Sequence, residues 1–409
     1  MLAPTSLPRR AEWSRRRLLR TGMLGVSAAL AAPMLQLGRC RLGASTLTVS
    51  TRAVDVVLGT TVVDMLGLLT FDWDRLAHWQ AEPSSFTETD YRRLEATGIG
   101  ICHPAVDTNA SDPHAAALRW TAGWNRLLVD RGCFLERIAT AEDLLAVGAR
   151  GRIGVVVGFQ NSDHFRSAAD VELFHRLGQR VSQLTYNRRN RLGSGCYSAW
   201  DLGLTELGAA VVGEMNRVGM AIDVSHCGER TSLDAIALSR RPILITHANC
   251  AALVPGQPRC KSDAVIRAAA AGGGVLGVTM VRAFVGRGQP GLDDVVAHVE
   301  HVARLVGVEH VGIGSDVDAD AVDPATGRVR PAYSIRGLEP GARVFQLADA
   351  LLARGWLARD VESVLGGNFL RALAANWPAP ALVGDGRAES RDPFCPAPHP
   401  AGPAAAGAS

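Results

Sequence analysis

Short apolar, β-branched runs recur along this chain, each bounded by Gly, Pro or polar residues, with stretches of helical period between them. Eight such runs fall at 55–63, 98–102, 153–159, 181–186, 220–225, 242–246, 274–280 and 310–315. Runs of this length and composition read as buried parallel strands. The stretch 205–218 repeats its apolar positions near every 3.6 residues and stops at Gly219; 293–306 does the same and stops at Gly307. Eight strands alternating with helices predict an α/β fold of the (β/α)8 TIM-barrel type over residues 54–373. The segment 317–338 is rich in Asp, Pro, Gly and Arg and is expected to loop over the barrel mouth. A helical pair is expected at 342–353 and 358–365. From Trp377 onward the chain is Pro, Ala and Gly with little apolar content, and residues 374–409 are expected to form a disordered tail.

Composition narrows the class. The 43 basic and 40 acidic residues leave a net charge of +3, too little for a nucleic-acid binder whose affinity rests on a broad basic field. The eight cysteines show no C-x-x-C pairing, and buried free thiols are expected for Cys227, Cys250 and Cys260. Residues 1–37 have the form of a targeting segment: Ser14-Arg15-Arg16-Arg17-Leu18-Leu19-Arg20 looks like a twin-arginine export motif and precedes an apolar stretch, 22–37. The implied partner is the twin-arginine export machinery. The implied location is periplasmic or extracellular, or membrane-anchored if the segment is not cleaved. Residues 38–53 would be a linker.

Three runs end in residues with chemistry to offer. Met220-Ala-Ile-Asp-Val-Ser-His226 and Pro242-Ile-Leu-Ile-Thr-His247 each close on an imidazole, and His310-Val-Gly-Ile-Gly-Ser-Asp316 closes on a carboxylate. Catalytic residues of a barrel sit at the C-terminal strand ends. Two imidazoles there suit Zn2+ or a similar cation, and Asp316 would ligate it or act as general base. Either histidine taken alone reads more readily as a hydrogen-bonded core or rim residue; the pair joined by Asp316 favours the metal.

Further motifs carry a family resemblance. Asp223-Val-Ser-His-Cys, Ile245-Thr-His-Ala-Asn, Pro258-Arg-Cys-Lys-Ser-Asp263, Gly272-Gly-Gly-Val-Leu-Gly277, Val311-Gly-Ile-Gly-Ser-Asp-Val-Asp318 and Leu365-Gly-Gly-Asn-Phe-Leu-Arg371 resemble, in order, the motifs of the membrane (renal) dipeptidase family. The resemblance implies a metal-dependent barrel that hydrolyses dipeptides with two bridged zinc ions. It makes His226 and His247 the ligands of one metal, Asp316 the catalytic acid/base and Arg259 the holder of the substrate carboxylate, a task that suits the guanidinium fork.

Departures from the family pattern matter as much. Leu66 and Leu68 stand where the family has the His-x-Asp pair of the other metal, Gln160 stands for the bridging glutamate, and Tyr186 for a substrate-facing histidine. A neutral amide cannot hold two cations together, though Gln160 can ligate one weakly. Tyr186 can donate a hydrogen bond to a developing oxyanion, and Asn161 is expected to touch substrate. Asp64, His103, Asp107 and His164 are candidates to replace the lost ligands. The pattern resembles a divergent bacterial branch of the family. The expectation is one divalent cation, Zn2+, acting on a dipeptide-like small molecule with a water activated by that cation. Two alternatives stay open: hydrolysis of a non-peptide amide, lactam or lactone, and a silent binding protein with a degenerate metal site. A homodimer is compatible with the sequence.

Overall fold

The computed structural model of the chain describes residues 39–41, 47–107 and 110–377. Eight parallel strands form its centre: β1 Val63–Asp64, β2 Ile101–Cys102, β3 Ile153–Val155, β4 Val181–Gln183, β5 Ala221–Asp223, β6 Leu244–Ala248, β7 Val275–Val278 and β8 Val311–Ile313. β2 resumes as Ala105–Val106, and β3 as Gly158–Phe159. Through that resumption β3 pairs with β2 on one side and β4 on the other. Each later strand pairs with the next, and β8 pairs with β1. The sheet therefore curls back on itself, the TIM-barrel arrangement expected. An added strand, Leu135–Arg137, lies beside β3 near its start.

The first expected strand differs. Residues 51–59 form a helix, Thr51–Gly59, whose start is capped by the Ser50 hydroxyl accepting from the Ala53 amide at 3.1 Å. Val54, Val56 and Val57 looked like a β-branched strand, but with Ala53 they form the buried face of this helix, packed on helix Arg343–Ala353. Tertiary burial overrides weak propensity, and β1 begins only at Val63. The edges of the domain also move. The expected linker contains an antiparallel pair, Arg39–Arg41 with Thr48–Ser50. At the other end helix Asn368–Asn376 runs past residue 373, and Trp377 is buried rather than part of a tail. The export segment 1–37 and residues 378–409 lie outside the described residues.

Val63, Met65, Ile101, Val181, Ala221, Leu244 and Val275 line one apolar cluster with Phe369 of the last helix. This cluster closes the base of the barrel and leaves polar side chains for its upper end. Asp64, fully buried, fastens β1 to β8 there: its carboxylate accepts from the Ser315 amide at 2.7 Å, from the Ser315 hydroxyl and from Arg343 Nη2 at 3.2 Å. Ser315 is thereby fixed beside Asp316. One glycine is sterically required. A Cβ at Gly158 would lie 2.1 Å from His103 Nε2 and 2.8 Å from the Val181 carbonyl, so the bare backbone of β3 makes room for that imidazole. Cys227, Cys250 and Cys260 are buried free thiols, as expected. No helix among the described residues is long and apolar enough to cross a membrane.

Burial pushes the imidazoles of His164 and His298 down to about 4. A histidine held neutral in the fold stabilises it fully above the ordinary range near 6.5, and that stability drains as pH falls toward 4. The urea midpoint is therefore expected to fall between about pH 7 and pH 5, with up to a few kcal/mol at stake across such shifts. A His298→Gln variant should show a shallower fall; an unchanged slope would contradict this assignment.

Candidate active site

The site is built from the ends of β5 and β6. Asp223, the last residue of β5, is buried and needs donors. Its Oδ1 accepts from the amides of Ser225 at 2.8 Å and Thr246 at 3.1 Å, and its Oδ2 accepts from the Thr246 hydroxyl at 2.6 Å. Because that hydroxyl spends its proton on Asp223, it can only accept from His247 Nδ1–H, 2.8 Å away. On the neighbouring ligand, His226 Nδ1–H donates to the Asn187 side-chain oxygen at 2.8 Å. Asn187 holds this position in a left-handed backbone conformation, φ 58°, which asparagine tolerates better than most residues.

Both imidazoles thus keep their proton on Nδ1 and present a bare Nε2. The two Nε2 atoms face each other at 2.9 Å. Two lone pairs at this separation repel unless a cation lies between them. A proton is disfavoured in that role, because burial first, then Arg259, and also Lys261, hold both histidines well below the usual imidazole range. A divalent cation fits the donor set: neutral imidazoles, fixed tautomers and oriented outer partners.

Asp316, just beyond β8, adopts a left-handed backbone, φ 60°, with its amide bonded to the Leu66 carbonyl at 2.8 Å. Such strain in a non-glycine residue marks a site where geometry is imposed. Burial pushes its carboxyl up to about 7, against the opposing pull of Arg259 and with help from Asp64. That places it where a general acid/base works at neutral pH. Tyr186 stacks on the His226 ring, centroids 4.4 Å apart at 26°, and burial, then Asp316 and Asp107, raise its phenol. Arg259 is buried, with Nη1 donating to the Ser225 carbonyl at 2.6 Å and Nη2 to the His247 carbonyl at 2.7 Å. It clamps the two ligand strands together and leaves its Nε–H without a partner.

The remaining expected residues are placed differently. Asn161 is occupied by scaffold contacts: it donates to Asp107 at 3.0 Å and accepts from Asn190 at 2.8 Å and from the Asp163 amide at 3.2 Å. The Gln160 amide nitrogen is turned to the Ala105 carbonyl at 3.1 Å. None of the candidate replacement ligands joins the histidine pair. Asp64 is paired with Arg343, and Asp107 with Asn161. His164 lies among Phe159, Phe165 and Phe174. His103 bonds the Met65 carbonyl at 2.8 Å through Nδ1, and its Nε2, beside Gly158, has no partner. Among the described residues no group of three or more His, Cys, Asp or Glu forms a metal cage. Leu66 and Leu68 are buried and bring no donor. The first-metal half of a binuclear centre therefore does not fit this chain, whereas the second half does. Sequence reasoning gave no role to Asn187 or Thr246, although each adjoins a named candidate, Tyr186 or His247.

The family model for membrane dipeptidase, peptidase family M19, matches residues 51–377. The chain belongs to the membrane dipeptidase family. A dipeptidase from Clonostachys rogersoniana is 31% identical over 237 residues, 57% of this chain and 58% of that protein. A dipeptidase from Aspergillus oryzae is 30% identical over 54% of this chain and 51% of its own length. The chain thus spans little more than half of these curated relatives. Among solved structures, an amidohydrolase from Pseudomonas aeruginosa superposes with a TM-score of 0.67 at 27% identity, covering 80% of this chain and 99% of its own. The family is one of metallopeptidases, which implies a divalent metal.

Removing the hydroxyl that orients His247 tests the fit of a cation to the histidine pair. Thr246→Val is expected to weaken zinc binding by about 10- to 100-fold, measured by competition with a chromophoric chelator, while the far-UV dichroism stays native. Unchanged affinity would show that the relay from Asp223 does not set the ligand.

Proposed function

We propose that this chain is an exported hydrolase that cleaves the amide bond of a dipeptide or similar small carboxylate-bearing substrate with a single divalent cation, Zn2+, at His226 and His247. The observation that carries the proposal is the pair of bare Nε2 atoms at 2.9 Å, each with its Nδ1 proton committed elsewhere. The names of the curated relatives, both dipeptidases, favour this bond over other amides.

When bound, the cation supplies Lewis acidity toward a carbonyl and lowers the pKa of water. The chain's own residues supply the rest. Asp316, poised near neutrality, takes a proton from the attacking water and returns one to the leaving amine. Arg259 offers the free Nε–H of a buried guanidinium to the substrate carboxylate, which orients the scissile bond. Tyr186, held against His226, is placed to donate to the oxyanion as the carbonyl oxygen gains charge. Asn161 sits behind these groups and shapes the mouth through Asp107 and Asn190. Export is supported by the twin-arginine pattern at 14–20.

The deciding experiment strips the folded protein with chelator, titrates zinc back and follows metal content together with cleavage of a dipeptide panel. One zinc per chain is expected, with hydrolysis lost on stripping and restored on titration. His247→Ala should bind none. Asp316→Asn should keep the metal but lose at least about 100-fold in kcat, the scale of a general acid/base contribution. A wild-type chain that binds no zinc is a silent binding protein; one that binds zinc but opens only lactams or lactones has another substrate.

A further inference from the structure

Where β1 ends, the chain runs alongside the segment that carries Asp316. The Asp316 amide bonds the Leu66 carbonyl at 2.8 Å, the Leu68 amide bonds the Val317 carbonyl at 3.0 Å, and the Phe71 amide bonds the Asp318 carboxylate at 2.9 Å. Residues 66–71 are thereby zipped to 316–318, on the β8 and β1 side of the mouth. The same stretch carries leucines where the family places its other metal ligands.

An aromatic stack stands at the end of the zipper. Phe71 and Tyr333 lie face to face, centroids 4.8 Å apart at 21°, both half-buried. The Arg330 guanidinium lies over the Phe71 ring at 5.5 Å, and its backbone amide is tied to the Ala321 carbonyl at 2.9 Å. Ala321 in turn donates to Asp318 at 2.6 Å. The loop that delivers Tyr333 is thus anchored to the residue that holds Phe71. Tyr333 is close enough to Asp316 and Tyr186 to feel their charge, and burial, then Asp316, raise its phenol. Phe71 is its only ring partner among the described residues.

We propose that Tyr333, propped by Phe71 and Arg330, is the wall of a subsite that receives the amino-terminal side chain of the substrate, and that this wall selects a large apolar or aromatic residue. The inference rests on the reading that the chain cleaves dipeptides. Its geometry follows from the ring of strands. Arg259, on the loop after β6, holds the carboxylate end. The scissile bond lies by Asp316 and the histidine pair, and a dipeptide about 7 Å long extends from there toward β8 and β1. A π-face rewards aromatic and apolar contact, and the positive charge of Arg330 beside it disfavours lysine or arginine side chains.

The test compares zinc-loaded wild-type protein with Tyr333→Ala, Tyr333→Phe and Phe71→Ala, using L-phenylalanylglycine and L-alanylglycine. Wild type should favour the phenylalanyl substrate in kcat/KM by about 10-fold. Tyr333→Ala should erase the preference, chiefly by raising KM for the phenylalanyl substrate. Tyr333→Phe should keep the preference and Phe71→Ala should reduce it. Binding of both dipeptides to wild type and Tyr333→Ala, read by calorimetry, separates the two readings. If neither dipeptide is cleaved yet phenylalanylglycine binds more tightly and loses that advantage in Tyr333→Ala, the hydrolase reading falls and the subsite stands. Equal treatment of the two dipeptides by wild type, in cleavage or binding, overturns the subsite, as does a preference that survives Tyr333→Ala or the absence of binding to either.

Discussion

An imidazole whose Nδ1 proton is already donated has one lone pair left to offer, and this barrel aims two such lone pairs at each other. Most of the surrounding polar structure is a consequence. Asp223 is buried to orient Thr246, Thr246 to orient His247, and Asn187 accepts a left-handed backbone to orient His226. Arg259 spends two of its nitrogens on the carbonyls of Ser225 and His247. Those contacts add no charge neutralisation, since a carbonyl carries none; they hold two strand ends at a fixed separation. Outer partners of this kind decide both tautomer and ring direction.

In the single-cation reading, charge opposes a second metal. Asp64 is bound to Arg343, whereas Asp223 and Asp316 have no ion-pair partner among the described residues. Near the histidines are Arg259 and Lys261, the latter buried with its ammonium on the Cys227 carbonyl at 2.7 Å and its pKa lowered by that burial. Both histidines are neutral. One dication adds two positive charges to this set, and a second would add two more with no bridging carboxylate to offset them. Buried charge that is not compensated costs several kcal/mol per ion, so leucines at 66 and 68 and glutamine at 160 are mutually consistent. Changing one back to a ligand would not restore a second site without the others.

The strand runs that ended in His226, His247 and Asp316 were legible because a buried parallel strand must be apolar, and a polar residue at its end must then be there for a reason. The first strand was not legible. Val54, Val56 and Val57 carry the β-branched signature, and only the Ser50 cap and the helix packed against them make that stretch helical. The amides misled in the opposite direction. Gln160 and Asn161 stand at the mouth in sequence, but Asp107 and Asn190 reach Asn161 from other segments, and the Ala105 carbonyl takes one N–H of Gln160. Sequence shows which groups a residue owns; tertiary contacts decide which of them remain free. Arg259 shows both sides of this, since two of its nitrogens are structural and the third is still available.

A site with one cation asks more of its general base than a binuclear one does. Between two dications a carboxylate stays ionised far below neutrality, because the positive field favours the charged form. Here burial outweighs the pull of Arg259 and brings Asp316 up to about 7, where it can both accept and return a proton. A single-cation hydrolase is chemically self-consistent on this fold.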